Sequence, residues 1–354
     1  HNYALNDSES VELIDNNNIN NLMVGFRSID GDDVSLVGGW ISNNDYDINV
    51  YDNETTVTFK KTIDDKQITK ALTFYPDKYI IDVSVDLSAI QPQVSQGVST
   101  VRWSGGLPLT EPNKNDEQTY YQAMVFQGDE TYSPKPKDLA DARLERMDYP
   151  TDWIAIRTKY FITALVPKKP APGSEVLAIE ENGNRRFDVG VFFNVDHPFF
   201  YALYLGPLEY GRIKQLGNNL DQTMNFGWAF IRPISKAVHW FLLFLHNYIP
   251  NYGFVLIVFS VFIKILVYPL THKSYVSTKK MQAIQPMLND LREKHKNDQR
   301  KFAQAQMALF KEHGVTPLSG CVPILLQMPL LFALFTVFRS SIELRGAPFM
   351  LWIS

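Results

Sequence analysis

A single lysine, Lys264, lies inside an apolar run that extends from Tyr252 to Leu270. A charged side chain at the centre of a lipid bilayer costs about 3 kcal/mol or more. Ser260, Lys264, Tyr268 and Thr271 are spaced by four, four and three residues, so a helix would carry them on one face. The spacing therefore predicts a polar stripe that reaches the end of the apolar run.

Two interpretations of Lys264 stay open from the residues alone. Lys264 precedes Leu270 by about 9 Å of helix, so its stem could lift the ammonium group to the lipid headgroups. In the other interpretation, the stripe faces a water-filled cavity that opens to the cytoplasm and attracts acidic or polar peptide segments. The continuous stripe favours the cavity.

Residues suited to catalysis form no recognisable pattern elsewhere in the chain. The sequence has no serine between glycines at a strand end, no phosphate-binding loop and no metal-spaced histidines. The aspartates of the N-terminal part are typical of a solvated face, although a glycan-binding surface would look the same. The one cysteine, Cys321, lies in a hydrophobic run and gives no disulfide framework. We therefore predict that the protein is not an enzyme and that it binds no cofactor and no metal ion.

Charge and hydrophobicity divide the chain into two parts. Residues 1–100 contain 16 Asp and Glu against 6 Lys and Arg, whereas residues 271–315 contain 9 Lys and Arg against 4 Asp and Glu. All long hydrophobic runs follow Asn225. The pattern predicts an acidic extramembrane part joined to a membrane part.

The N-terminal part shows the alternation of β-strands. Ile81, Val83, Val85 and Leu87 alternate with polar residues, and the segments 55–63 and 153–166 are rich in strand-forming residues. Only 138–145 suggests a short helix. We predict a mainly β fold, a large antiparallel sandwich, over residues 1–220.

The membrane part begins with residues 225–248, which predict an amphipathic helix in the membrane interface. Arg232, Lys236, His239 and His246 fall near one face, while aromatic and apolar residues cover the rest. An ordinary transmembrane helix is the alternative. We predict transmembrane helices at 252–271 and 315–340, the second carrying prolines and Gln327. A connection starts at 341–354, and the family resemblance given below implies that it is periplasmic.

The basic segment 272–314 predicts an antiparallel helical hairpin. Met281, Ile284, Leu288 and Leu291 form an apolar seam, which Phe302, Ala305 or Gln306, and Leu309 continue in the second arm. Asp298 offers an N-cap and Gly314 a helix end. The lysine excess indicates a cytoplasmic hairpin, which puts the β domain on the outer side. Its predicted partner-docking residues are Lys279, Lys280, Arg292, Lys294, Lys296, Arg300 and Lys301. Simple topology determination is the alternative role for these charges.

The chain resembles the YidC-type membrane protein insertases. The resemblance rests on YPLTHKSYVSTKKMQAIQP (268–286), VTPLSGCVPILLQMPLLFALF (315–335) and SIELRGAPFMLWIS (341–354). In the N-terminal part, WIAIRTKYFITALVP (153–167) and YLGPLEYGRIKQL (204–216) resemble the periplasmic domain of Gram-negative members.

The resemblance implies a periplasmic β-supersandwich and a multi-pass protein of the bacterial inner membrane. Its helices would surround a hydrophilic groove, with Lys264 where many members have arginine and Ser260 where they often have a small hydroxyl residue. Gln327, Met328 and Pro329 match the substrate-contacting helix of the family. An N-terminal anchor is expected to precede residue 1 and further membrane helices to follow residue 354.

The function implied is that of an insertase and chaperone for nascent membrane proteins, alone or with the Sec translocon. The ribosome, the signal recognition particle receptor and membrane lipids are the further partners implied, and DNA is not among them. The alternatives are an ion or proton-coupled transporter that uses Lys264, and a membrane-tethered sugar-processing enzyme.

Overall fold

The computed structural model describes residues 11–14, 21–42, 48–51, 53–134, 143–181, 184–296, 298–314 and 322–347. The chain forms two compact units, His1–Met224 and Asn225–Ser354. The predicted β domain ended at 220, four residues before this boundary.

The first unit is built from two antiparallel sheets. In its described part, the nine-stranded sheet has the order β3-β4-β5-β6-β15-β12-β11-β8-β9, and the six-stranded sheet has the order β10-β13-β14-β7-β1-β2. The strands are β1 Met23–Ser28, β2 Asp33–Leu36, β3 Ile48–Tyr51, β4 Glu54–Ile63, β5 Lys66–Phe74, β6 Ile80–Asp86, β7 Val94–Trp103, β8 Gln122–Gln127, β9 Glu130–Tyr132, β10 Arg143–Met147, β11 Thr151–Arg157, β12 Phe161–Pro167, β13 Ser174–Glu181, β14 Asn184–Asn194 and β15 Phe199–Pro207. Two short helices accompany them, α1 Lys114–Gln118 and α2 Tyr210–Gln215. The predicted β fold class is thus confirmed.

Alternation along β6 and β11 shows how the sheets bury their side chains. Val83 and Val85 of β6 lie in the main core, where inward side chains of both sheets meet. Ile154 and Ile156 of β11 also point into this core. Trp153 lies on the opposite face of the same strand, in a second cluster. A strand covered on both faces reads as continuously apolar, which explains the sequence of residues 153–166.

The second cluster covers the outer face of the nine-stranded sheet. Ile213 of α2 and Leu220 pack there against Trp153. The indole nitrogen of Trp153 donates to the carbonyl of Asn218 at 2.8 Å. The buried guanidinium of Arg157 donates to the carbonyl of Thr223 at 2.5 Å, and burial lowers the pKa of Arg157 to about 10. The chain end of this unit is therefore held to β11 by packing and by two hydrogen bonds.

A charged pair crosses the outer face of the six-stranded sheet. Gly190 of β14 lies between Arg102 of β7 and Glu175 of β13 in the strand register. The Glu175 carboxylate accepts from Nε of Arg102 at 2.9 Å across this glycine. A Cβ atom at Gly190 would lie 3.2 Å from Oε1 of Glu175 and 2.9 Å from Cγ2 of Thr100. Because Gly190 has no side chain, the Glu175 carboxylate can cross this position and reach Arg102.

The short helix predicted over 138–145 is wrong where the structure describes it. Residues 143–147 form β10, which pairs with β13 from Arg143↔Ala178 to Met147↔Ser174. Residues 138–142 lie outside the described part of the chain. Pairing with a neighbouring strand outweighs the weak local helix preference of Leu144–Arg146.

The described part of the second unit is helical. Its helices are α3 Arg232–His246, α4 Tyr252–Lys294, α5 Gln299–Glu312 and α6 Val322–Ser340, followed by a 3₁₀ turn at Ile342–Leu344. Val238 and Leu242 of α3 pack with Val255 and Phe259 of α4 and with Val337 of α6. These contacts form the core of the unit.

Candidate functional site

The polar stripe predicted around Lys264 lies on α4. Ser260, Lys264 and Tyr268 are exposed, and Thr271 is half-buried. The Ser260 hydroxyl donates to the Leu256 carbonyl at 2.7 Å, and the Thr271 hydroxyl donates to the Val267 carbonyl at 2.9 Å. Both hydroxyl groups therefore donate their hydrogen bonds to backbone carbonyls of the same helix. Lys264 supplies the charge of the stripe.

Helical geometry places Lys264 away from the core of its unit. Val255 and Phe259 are buried against α3 and α6. Lys264 follows Val255 by nine residues, and at 100° per residue it lies on the opposite side of α4. Among the side chains that the structure describes, the contacts of α3 and α6 with α4 are formed by the apolar cluster and not by this side of α4. The stripe is available to water, lipid or another polypeptide.

Tyr252–Pro269 is the one described helical segment that is long and apolar enough to cross a membrane. The predicted transmembrane helix, 252–271, was expected to end before the hairpin. In the structure α4 continues without interruption to Lys294. Pro269 removes only one backbone donor, which a long helix tolerates, so the first arm of the hairpin extends the apolar segment.

The predicted substrate-contacting residues of α6 lie on its less buried sides. Gln327 is exposed, and Met328 and Pro329 are half-buried. Leu331 and Phe335 extend the exposed apolar surface of the helix. Pro317 and Cys321 fall outside the described residues, as does the part of the predicted helix before 322. The stripe of α4 and these residues therefore lie on two different helices, which meet through ring contacts such as Phe259–Phe338 at 6.4 Å.

Helix α3 differs from the prediction in the side chains that its exposed surface carries. The proposed basic face does not exist as one surface, because Arg232 is exposed, Lys236 is half-buried and His239 is buried. His246 stacks on Tyr252 with ring centroids 3.8 Å apart. The outward face is aromatic instead, with Trp240 and Phe244 stacked at 5.6 Å and Tyr248 edge-on to Phe244 at 5.3 Å. Apolar packing of Val238 and Leu242 turns the adjacent His239 inward.

The hairpin has the predicted turn, but a different residue of its second arm forms the apolar contact between the arms. Asp298 caps α5 by accepting the Lys301 backbone N–H at 3.0 Å, and this bond lowers the pKa of Asp298 below its ordinary value. Ile284 of α4 packs against Phe310, not Leu309, with Met281 and Leu288 beside them. Phe302, Gln306 and Phe310 at four-residue steps were the available signal in the sequence.

The seven predicted docking residues of the hairpin are all exposed. These are Lys279, Lys280, Arg292, Lys294, Lys296, Arg300 and Lys301. Lys296 lies 3.9 Å from Glu293 and Lys301 lies 3.4 Å from Asp298, both in exposed pairs. Such pairs are weak, so the positive charge stays available at the surface.

The described residues contain no cluster of three or more His, Cys, Asp or Glu side chains that could hold a metal ion.

Two protein-family models match the chain, and together they cover nearly all of it. The model described as the YidC periplasmic domain matches residues 1–241, and the 60Kd inner membrane protein model matches residues 244–354.

Curated relatives agree with these matches. A membrane protein insertase YidC from Chlorobium luteolum is 36% identical over 301 residues, which are 81% of this chain and 51% of the relative. Proteins of the same name from Prosthecochloris aestuarii and Chlorobium phaeovibrioides are 35% and 32% identical, over 84% and 92% of this chain and 53% and 57% of the relatives. The chain spans about half the length of these relatives.

Proposed function

This chain belongs to the YidC family of membrane protein insertases, and from that membership we propose that it moves segments of nascent membrane proteins into the bacterial inner membrane. The family models make it an inner membrane protein with a periplasmic domain. The observation that carries the proposal is the charged stripe on α4. It combines a membrane-length apolar segment with an exposed cation on the side that the core does not use.

The mechanism we propose needs no covalent intermediate and no cofactor. A polar segment of the substrate would follow the stripe of Ser260, Lys264 and Tyr268, which shortens the apolar path that it must cross. Its apolar segment would slide along Met328, Leu331 and Phe335 of α6 into lipid. The exposed apolar surface of α6 supports this second step. The protein would act as a chaperone and not as an enzyme.

The proposed topology follows from the two helices and the charge of the hairpin. The N-terminal part of α4 would cross the membrane, and the match of residues 244–354 to an inner membrane protein model supports a second crossing by α6, which would make the protein multi-pass. The basic hairpin would lie in the cytoplasm by the positive-inside rule. The β domain would then lie in the periplasm. Helix α3 would lie at the periplasmic surface of the inner membrane, with Trp240, Phe244 and Tyr248 towards the headgroups.

The hairpin is the proposed docking element for cytoplasmic partners. Its exposed positive charges fit a ribosomal RNA surface, a targeting receptor such as that of the signal recognition particle, or anionic lipid. Cooperation with the Sec translocon belongs to the same proposal. An ion or proton-coupled transporter is not proposed, because the matched relatives are named insertases.

The test of the proposed groove is a series of substitutions at Lys264 in the intact protein. At about 6–8 Å and an effective dielectric constant of about 20, a cation stabilises a passing carboxylate by about 2–3 kcal/mol. We therefore expect Lys264→Ala to slow insertion of substrates with acidic translocated segments by tenfold or more, as a rough scale. Lys264→Arg should retain insertion, and Lys264→Glu should be worse than alanine.

Matched substrates that differ only in their number of acidic residues provide the measurement, in cells depleted of the native protein. Ile265→Ala is the matched control, since it truncates the neighbouring exposed side chain without changing the charge. Equal insertion by the Lys, Ala and Glu versions would reject the groove. Insertion by the alanine variant at or above the native level would favour the interpretation that Lys264 extends to the headgroups.

A further inference from the structure

Helix α3 buries two polar side chains one turn apart. Ser235 is fully buried and His239 is buried four residues later, so both lie on the same face of the helix. Their neighbours Val238 and Leu242 belong to the apolar core of the unit. Polar groups in such a place are costly unless they have a partner, so their presence calls for a physical explanation.

The partner of His239 comes from the segment that follows α6. Nε2 of His239 lies 3.4 Å from Oε1 of Glu343, and the two side chains are 5% and 10% exposed. Glu343 belongs to the 3₁₀ turn Ile342–Leu344, which is anchored by the buried Ile342 and Ser341. The ring of Phe226 packs edge-on against His239 at 5.9 Å. The contact therefore joins the middle of α3 to the end of α6 in a water-poor site.

A polar pair of this kind differs from the packing that surrounds it. The contacts of Val238 and Leu242 with Val337 are apolar and non-directional, and a helix can slide or rotate along such a surface at small cost. Nε2 of His239 and the Glu343 carboxylate are each other's polar neighbours at 3.4 Å in an apolar site, so separating the two helices takes this neighbour from both buried groups, which is costly. Removing one partner leaves the other buried without compensation.

We propose that His239 and Glu343 are positioning residues that fix α3 against the end of α6. This inference rests on the proposed insertase function. On one side of α3 the pair holds the helix to α6, and on the other side Trp240, Phe244 and Tyr248 are exposed. The pair therefore sets the depth and rotation of the aromatic face relative to the helix that carries Gln327, Met328 and Pro329. An insertion-competent arrangement of α6 would depend on it.

Hydrogen–deuterium exchange of the intact protein in lipid nanodiscs tests the contact without using insertion activity. We expect His239→Ala and Glu343→Ala each to raise amide exchange about tenfold or more in residues 235–243 and 340–345, as local opening becomes easier. Residues 281–310 of the hairpin should exchange as in the native protein. Arg232→Ala is the matched control, because it removes an exposed charge from the same helix.

Insertion of a membrane protein substrate is measured in parallel. The alanine variants should insert more slowly, whereas His239→Gln and the exchanged pair His239→Glu/Glu343→His should recover much of both protection and insertion. A purely space-filling role would give no recovery with the exchanged pair.

Two outcomes would overturn the inference. Unchanged exchange in the alanine variants would show that the pair does not hold α3. Increased exchange with native insertion would show that the contact is structural only. Loss of insertion in the Lys264 series bears on the groove and leaves the exchange result intact, so the two proposals can fail separately. If a single alanine variant does not fold, failure of the exchanged pair to restore folding and protection counts against the inference.

Discussion

Residues 216–224 should be an integral part of the β domain and not a linker. Leu220 is fully buried in the outer cluster, and the carbonyls of Asn218 and Thr223 accept hydrogen bonds from Trp153 and Arg157. Ending the domain at residue 215 would remove all three contacts. The perturbation is therefore the removal of residues 216–224, tested by comparing two soluble proteins, residues 1–215 and residues 1–224.

The magnitude follows from these contacts. Burying a leucine side chain stabilises a fold by about 2–3 kcal/mol. A neutral hydrogen bond contributes about 1 kcal/mol and a bond from a charged group about 1.5–3 kcal/mol. The shorter protein should lose about 5–7 kcal/mol, which is a large part of the roughly 5–15 kcal/mol that stabilises an ordinary domain.

Urea unfolding followed by tryptophan fluorescence measures this difference. Within residues 1–224, Leu220→Ala should lower the free energy of unfolding by about 2–5 kcal/mol. Leu144→Ala is the control, because its side chain is 53% exposed and should change the free energy by less than about 0.5 kcal/mol. Free energies for 1–215 and 1–224 that agree within about 1 kcal/mol would refute the argument.

Two further predictions concern the sheet and the hairpin. Gly190→Ala should displace the carboxylate of Glu175 from Arg102 and lower the free energy of unfolding of the β domain by about 1–3 kcal/mol. Gly38→Ala is its control, since a Cβ there meets nothing within 4 Å, and equal effects of the two changes would contradict the steric argument. Replacing the seven predicted docking residues of the hairpin by glutamine should weaken co-sedimentation with ribosomes and anionic liposomes and slow insertion, while circular dichroism keeps its helical signal. Unchanged insertion with unchanged topology would exclude a docking role.

Short-range patterns were sufficient for several features. The alternation from Ile81 to Leu87 predicted strand β6 and its buried face, because side chains of a strand alternate in direction regardless of the partner. The turn at Asp298 was predictable because a cap bonds its own first helical turn. The stripe of Ser260, Lys264 and Tyr268 followed from helical spacing alone. The family resemblance was also carried by contiguous motifs, and the comparisons confirm it.

Other features depended on contacts between distant residues. Periodicity shows which residues of α3 share a face, but only packing against α4 and α6 decides that His239 lies inside and Trp240 outside. The contact residue of the second arm is Phe310 and not the predicted Leu309 for the same reason. The role of Lys264 as a groove cation stays a prediction, because helical spacing fixes its face and not what lies opposite.

The sequence by itself determined the two-part organisation, the β and helical classes and the polar stripe, because each is encoded in composition or in spacing of a few residues. The tertiary structure decided that residues 216–224 complete the β domain, that Gly190 lets Glu175 reach Arg102, and that Glu343 meets His239. These contacts join residues far apart in the chain. Their energies depend on burial and on approach within a few ångströms, which no local pattern specifies.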